Sequence, residues 1–478
     1  MNLDELDLSR LLRPYNPWHS EPEGAWRKTL PAFERPVLKQ LCSDLDALTQ
    51  IISITGPRRV GKTTVLRQLV CHLLDERRVS PEQIIYFSFD DPAVASSPEL
   101  QERLFDRMVE AARGDPLKTQ ERFFLLDEIQ RLPRWELFLK KYYDLKYPIR
   151  FLISGSASSP IFRKTQESLL GRIKDYHLLP FSFREFCLYR FRNEPTFSEI
   201  LADYSNVRAL LVEGDGKSAC SRMMKFDEDI QDFRQRLDID VLEFCREGGF
   251  PETWQFEDVV LKQEYLWDNQ VRKVLYEDLA LATEYRRPEN VLRFFVYLLA
   301  HPGIEINTQK IAAEAGVSRK VVTDNFPLLE MTDLVKRVQK FRRDPIRPRQ
   351  GNIKCYLIDL AIRNAVMKTW DDFAIDPGLL GLYIENIVAN HLLGWRGTLE
   401  ATYYRQRQVE VDLIVTYAAS KYLPIEVKYR QKDLQKRGLM HFMKKFGSPL
   451  GVLLTREQDI SLQDGILSIP AQYFLLIA

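Results

Sequence analysis

Gly56-Pro57-Arg58-Arg59-Val60-Gly61-Lys62-Thr63 has GxxxxGK[ST] spacing, and each residue type in it has a chemical use. Glycines let backbone N–H groups turn inward around phosphate oxygens. The lysine ammonium is a point charge for β- and γ-phosphates, and the threonine hydroxyl is a hard oxygen for Mg²⁺. The N-terminus of a following helix adds partial positive charge. The run before the motif, Ile51-Ile52-Ser53-Ile54, reads as a buried strand, and Val65, Leu66, Leu69, Val70, Leu73 and Leu74 after it have helical spacing. That strand–loop–helix context separates the motif from a chance glycine loop. A second run, Phe123-Phe124-Leu125-Leu126-Asp127-Glu128, is apolar and ends in two carboxylates. It predicts a buried parallel strand whose C-terminal tip faces the phosphates, where open α/β sheets bind ligands. Asp127 is expected in the Mg²⁺ shell, and Glu128 is expected to orient and polarise the attacking water. The competing reading is an acidic helix cap after a strand. Ser154 and Ser156 end the next strand, placed to hydrogen-bond a γ-phosphate or its water. ATP and Mg²⁺ are the cofactors these residues imply.

Farther along, Ile311-Ala312-Ala313-Glu314-Ala315-Gly316-Val317-Ser318-Arg319-Lys320-Val321-Val322 has a helix-turn-helix rhythm. Ala315-Gly316 makes the turn, Ser318 caps the second helix, and Arg319 and Lys320 lie at its exposed start. Pro327 falls late in that helix and is expected to kink or end it. Two strand-like runs follow, 334–341 and 353–358. Between Lys336 and Arg349, Asp344 is the single acid among seven basic residues, which include Lys340, Arg342, Arg343, Arg347 and Arg349. A cation cluster of this kind on a neutral chain suits a phosphate backbone, so these residues with Arg319 and Lys320 are the candidate DNA contacts.

The elements that must position these groups alternate. Strands are predicted at 51–54, 84–89, 123–126 and 149–153, with helical patterns between them, which implies a mainly parallel sheet covered on both faces. Residues 182–300 read as helical, 300–360 as short helices followed by two strands, and 375–478 as mixed α/β. A length of 478 residues is enough for three or four domains. Apolar residues at 45% and charged residues at 28% are ordinary globular values, which argues against a disordered or fibrous chain. Subtracting 67 Asp+Glu from 68 Lys+Arg leaves +1, which excludes a wholly basic coat protein; any nucleic-acid surface must be local. The six cysteines show no CxxC pair or zinc spacing and read as reduced thiols of a cytoplasmic protein. No apolar run reaches the roughly 18–20 residues that span a bilayer, so no membrane partner is expected.

Taken in order, these residues resemble the AAA+ ATPases of a prokaryotic family whose ATPase is followed by a nuclease-like carboxy-terminal domain. The resemblance rests on Asn16-Pro17-Trp18, on the phosphate loop through Thr64, on Leu126-Asp127-Glu128-Ile129-Gln130 with Trp135, and on Ser154-Gly155-Ser156. It continues through Ser168-Leu169-Leu170-Gly171-Arg172, Leu179-Pro180-Phe181-Ser182-Phe183-Arg184-Glu185-Phe186 and Gly248-Gly249-Phe250-Pro251-Glu252. Ser182 and Glu185 also read on their own as a capping box that starts the lid helices. The resemblance implies that Pro251 lies near the adenine and that Arg172 reaches a neighbouring subunit's γ-phosphate in a homo-oligomer, commonly a hexamer. The alternative for Arg172 is a surface arginine. The last region resembles the PD-(D/E)XK nuclease core: helix residue Glu385, then Asp412 on one strand and Glu426-Val427-Lys428 on the next. Glu426 and Lys428 share a strand face. The resemblance implies Glu385, Asp412 and Glu426 as metal ligands and Lys428 as the group that positions the attacking water.

The expected fold class is α/β: an arm (1–30), a P-loop AAA+ core (31–181), a helical lid (182–290), a winged helix (291–360) and a mixed α/β nuclease-like domain (361–478). The expected function is ATP hydrolysis that translocates or remodels DNA, with branched repair or recombination intermediates as substrates. Its catalytic residues are Lys62, Glu128 and Arg172, with Asp412, Glu426 and Lys428 for DNA cleavage. The alternatives are a nucleotide-dependent regulatory or defence switch whose last domain binds without cutting, and a non-catalytic DNA-binding regulator.

Overall fold

The computed structural model describes residues 8–95, 97–113, 121–156, 169–279, 288–343, 353–370, 376–395, 400–418, 420–429, 436–456 and 459–477. The chain divides into two compact units, Met1–Leu179 with Leu281–Glu284, and Pro180–Ala280 with Tyr285–Ala478.

The first unit is built on strands β1 (Ile51–Gly56), β2 (Ile84–Ser88), β3 (Arg122–Asp127), β4 (Ile149–Ser156) and β5 (Ile173–His177). They form one sheet in the order β2-β3-β4-β1-β5, and every pairing is parallel. Apolar runs buried on both faces are what a parallel sheet demands, and β1 and β3 are buried through almost their whole length. Phe87, Phe89, Phe105, Phe124 and Phe151 fill one of its cores. Register aligns Gly56 with Ser156 and Ser88 with Asp127, so the polar strand ends gather at one edge. The helix Lys62–Asp75 starts directly after the glycine loop, with Gly61 at φ 93 as its N-cap.

β2 lies at the sheet edge, where its outer backbone groups lack a strand partner. Asn16 takes that place. Its amide nitrogen donates to Tyr86 O at 2.9 Å and its oxygen accepts from Tyr86 N at 2.7 Å. Trp18 adds an indole N–H to Ile84 O at 3.0 Å. The Asn-Pro-Trp segment is thus a backbone mimic that fixes β2, and with it Tyr86.

The second unit opens with helix Phe183–Arg190, whose capping box forms as expected: Glu185 N donates to Ser182 Oγ at 3.2 Å and Ser182 N donates to Glu185 Oε2 at 3.0 Å. Residues 195–240, weakly patterned in sequence, form ordered helices with Phe197, Leu201, Leu211, Met223 and Phe226 buried. They are tied down by Tyr473, whose hydroxyl donates to Asp227 at 2.7 Å.

The helices Thr308–Glu314 and Arg319–Met331 come next. The second continues through Pro327 instead of ending there. Buried Phe326 and Leu329 flank the proline and hold the last turn in place at the loss of one backbone hydrogen bond. Strands β6 (Ile304–Glu305), β7 (Val335–Lys340) and β8 (Ile353–Leu357) then share one mixed sheet with β9 (Glu400–Gln406), β10 (Val409–Ala418), β11 (Lys421–Lys428), β12 (Gly451–Thr455), β13 (Ser461–Gln463) and β14 (Ile466–Pro470). The order is β13-β14-β12-β11-β10-β9-β7-β8-β6. The join is a short parallel pairing, Gln339 with Thr402 and Lys340 with Tyr403.

Replacing Asn16 with Ala strands two backbone groups of β2. We expect the first unit to lose about 1–3 kcal/mol, the cost of unsatisfied buried polar groups, read as a lower urea midpoint for its unfolding transition; an unchanged midpoint would show that the clamp is not needed.

Candidate functional site

The edge of the first sheet converges on one carboxylate. Asp127, 3% exposed, accepts from Thr63 Oγ1 at 2.6 Å and Tyr86 OH at 2.9 Å on Oδ2. On Oδ1 it accepts from Ser154 Oγ and from Glu128 N at 3.1 Å. The sequence expectations for Thr63, Asp127 and Ser154 come together here. Ser156 is buried at the end of the same strand. Lys62, 6% exposed, donates to Gly56 O at 3.0 Å and Pro57 O at 2.7 Å, holding its ammonium across the loop. Gly56 is required sterically: at φ 146, a Cβ there would lie 2.0 Å from Leu178 O. Arg59 also takes a left-handed conformation. Arg58 is half-buried, Val60 buried and Thr64 half-buried along the same loop and helix start.

Glu128 follows in a left-handed backbone conformation, φ 52, which turns it away from the line of β3. Burial raises its carboxyl above the usual range, opposed by Lys62, and Gln130 Nε2 donates to it at 2.5 Å. A carboxyl pushed toward neutrality is suited to exchanging a proton with water. The Thr63 hydroxyl and Asp127 carboxylate are adjacent hard oxygens of the kind Mg²⁺ takes, so the residues fit a metal–nucleotide complex.

Sequence reasoning missed Tyr86 and Arg35. Tyr86 sits within an apolar strand, where a tyrosine reads as core. Arg35, 7% exposed, donates to Val60 O at 3.1 Å and Leu179 O at 2.9 Å, bracing the phosphate loop. An arginine beside Pro36 gives no local signal for that role.

Arg172, after left-handed Gly171, makes a two-pronged exposed pair with Asp144, Nε–Oδ1 2.7 Å and Nη2–Oδ2 3.2 Å. Pro251 opens the short helix Pro251–Gln255 in the second unit. Gly249, two residues before it, is bound to Asp359, whose carboxylate accepts from Gly249 N at 2.6 Å and Ala361 N at 2.8 Å. A Cβ on Gly249 would lie 2.2 Å from Phe181 O. Burial pushes the Asp359 carboxyl up to about 7 although both amides favour its charged form.

In the second unit, Arg319 and Lys320 are exposed at the start of their helix, Lys340 and Arg342 are half-buried and Arg343 is exposed. Arg347 and Arg349 lie outside the described residues. Lys336 and Arg337 are engaged by Asp333 at 2.5 Å and Glu330 at 2.8 Å, acids that precede the basic window.

Glu385, Asp412 and Glu426 are brought into one neighbourhood, with additions that sequence did not suggest. The β9–β10 ladder is irregular between Val411 and Ile414, and Asp412 accepts from Val427 N at 2.9 Å. Burial, with Glu385 nearby, pushes the Asp412 carboxyl up to about 8. Lys428 pairs with Glu426 at 2.8 Å, confirming their common face. Tyr356 OH donates to Glu385 at 2.7 Å. Lys354, 5% exposed, lies 3.0 Å from Glu385, 3.0 Å from Glu410 and 4.0 Å from Asp412. Lys354 and Tyr356 share one face of a strand; an ammonium in that otherwise apolar run was the available signal. Among the described residues no group of three acidic, His or Cys ligands is arranged to hold a metal ion.

In comparison with known proteins, residues 48–187 match the family described as AAA domain. Residues 239–372 and 380–474 match two families described as domains of unknown function, DUF8612 and DUF4143. An uncharacterized protein of Methanocaldococcus jannaschii is 23% identical over 437 residues, covering 90% of this chain and 85% of its own. An uncharacterized protein of Mycobacterium tuberculosis is 24% identical over 439 residues, covering 89% and 81%. The Thermotoga maritima RuvB Holliday junction branch migration motor overlays on 67% of this chain and 92% of its own at 14% identity, with a TM-score of 0.26. No helix among the described residues is long and apolar enough to cross a membrane.

Asp359 makes the stability of the fold depend on pH. An ordinary aspartate titrates near 3.9, so the folded state holds this proton more tightly than the unfolded chain. The group's contribution is complete below about pH 4 and is lost as pH rises through about 7. The stability of the wild type relative to Asp359→Asn should therefore fall by about 1–3 kcal/mol between pH 5 and 8; urea unfolding at several pH values reads this, and a flat or rising difference would contradict it. The phosphate-loop sequence, the parallel sheet that carries it and the family match agree on one statement: the first unit has the fold of an AAA-type P-loop ATPase.

Proposed function

We propose that this protein hydrolyses ATP with Mg²⁺ at the Lys62–Asp127 site and uses the cycle to act on DNA. The observation that carries the reading is the Asp127 carboxylate, oriented by Thr63, Tyr86, Ser154 and the Glu128 amide beside the Lys62 ammonium. When bound, Mg²⁺ would be held by Thr63 and Asp127 and would neutralise charge on the β- and γ-phosphates. The loop amides from Gly56 to Thr64 bind the phosphates, Lys62 leaves its loop carbonyls to reach them, and Glu128 orients water and takes its proton. Ser154 and Ser156 border the γ-phosphate.

Arg172 acts in this scheme in trans. Its exchange of Asp144 for a neighbour's γ-phosphate requires a homo-oligomer, with six subunits the expected number, and costs little because the pair is exposed. DNA is the proposed partner because Arg319, Lys320, Lys340, Arg342 and Arg343, with Arg347 and Arg349 beyond the described residues, put cations around one helix start and one strand end. The last domain is read as nuclease-like in fold but as a binding element: Lys354 stands among the acids that the cleavage reading assigns to a metal. Movement past a domain that holds nucleic acid fits remodelling of branched intermediates, and the same parts would also serve a nucleotide-controlled switch.

ATP turnover with and without linear, forked and four-way DNA tests the proposal. Lys62→Ala should abolish binding and turnover. Glu128→Gln should retain ATP binding and lower turnover by about 100-fold, within the range for loss of a general base. DNA should raise wild-type turnover several-fold; no phosphate release under any of these conditions sinks the proposal. Separately, nicking of DNA in Mg²⁺ or Mn²⁺ that is lost in Asp412→Ala would overturn the binding role of the last domain.

A further inference from the structure

The acids at the centre of the second sheet do not fit a divalent metal as they stand. A metal site of Glu385, Asp412 and Glu426 needs free carboxylate oxygens facing a shared point. Instead Glu385 Oε1 receives Tyr356 OH at 2.7 Å and Lys354 Nζ at 3.0 Å. Asp412 Oδ2 is bound to Val427 N, its Oδ1 lies 4.0 Å from Lys354 Nζ, and Glu426 Oε1 is held by Lys428 at 2.8 Å. The remaining Glu426 oxygen, Oε2, is buried beside Gly438 without a hydrogen-bond partner, and Asp412 Oδ1 is beyond hydrogen-bond reach of Lys354, so what stands against a metal is the ammonium inside the cluster.

We propose that Lys354 is the resident cation of this acid cluster and that it excludes a divalent metal while its ammonium is in place. The lysine has nowhere else to go. It is 5% exposed, and its strand is fixed on both sides, by β7 through five residue pairs and by β6 through two. Removing its carboxylate partners would leave a buried, unpaired ammonium, which is strongly unfavourable. Admitting a dication beside it would place like charges a few ångströms apart in a medium of low dielectric. Lysine and metal are therefore alternatives. The ion network instead joins β8 to the Glu385 helix (Pro377–Leu393) and to β10, which carries Glu410 and Asp412. The inference deepens the non-cutting role given to the last domain; it is independent of ATP hydrolysis and of DNA binding.

Mn²⁺ titration of the full chain, with free Mn²⁺ read by electron paramagnetic resonance, tests it, and Asp412→Asn distinguishes this cluster from the phosphate-loop site. The wild type and Asp412→Asn should bind Mn²⁺ identically. Lys354→Gln should gain a site at least tenfold tighter than any Asp412-dependent binding in the wild type, and Lys354→Gln/Asp412→Asn should lose it. Lys354→Arg, which keeps a cation, should show no gain. Loss of a bound Mn²⁺ from the wild type on Asp412→Asn, or no gain in folded Lys354→Gln, overturns the proposal. If Lys354→Gln does not fold, the comparison of wild type with Asp412→Asn decides alone. ATP turnover is the same under either outcome, so failure here is distinct from failure of the ATPase.

Discussion

A buried carboxylate must be satisfied without being neutralised if it is to serve a cation later, and the first unit is arranged around that constraint. Asp127 is almost inaccessible to solvent, where an unpaired charge would be strongly unfavourable. Its partners are hydroxyls and a main-chain amide. These stabilise the negative charge, fix the plane of the carboxylate and bring no positive charge of their own. The strand order follows the same need. β2 supplies Tyr86, β4 supplies Ser154 and the helix after β1 supplies Thr63, so the elements around β3 each send one donor to its tip. Asn16 belongs to this arrangement at one remove. By pairing with the backbone of Tyr86 it places the hydroxyl that reaches Asp127.

What was legible in the sequence was what local spacing encodes. The phosphate loop, the apolar run ending at Asp127 and the Ser182–Glu185 capping box are each confined to a few consecutive residues, and each constrains its own backbone. Helix and strand periodicity recovered the parallel sheet for the same reason. Tyr86 and Arg35 could not be read that way. Their partners are 41 residues away at Asp127 and 144 away at Leu179, and nothing in either neighbourhood marks them. At Pro327, where the sequence predicts a kink or an end, the helix does not end, and buried Phe326 and Leu329 pack its last turn. The basic window was legible as composition but not as charge, because Asp333 and Glu330 lie just outside it and neutralise Lys336 and Arg337. In the acid cluster Glu385, Asp412, Glu426 and Lys428 could be picked out as a pattern, whereas Lys354 lies on a separate strand that no spacing links to them.

The two acidic sites differ in the kind of partner that satisfies them, and that difference decides what each can accept. Around Asp127 the donors are neutral and bring no charge of their own. A hydroxyl can also turn its lone pair toward an arriving cation, since its hydrogen rotates to suit. Around Glu385 and Glu410 the donor that matters is an ammonium, which has hydrogens to give and no lone pair to offer. Such a group cannot become a co-ligand; it can only be displaced. The same residue types, carboxylates near a lysine, thus occur once with neutral donors and once with an ammonium as the donor. At the phosphate loop the Lys62 ammonium donates to two backbone carbonyls and also acts on the Glu128 carboxyl. Lys354 cannot leave its place without stranding two carboxylates.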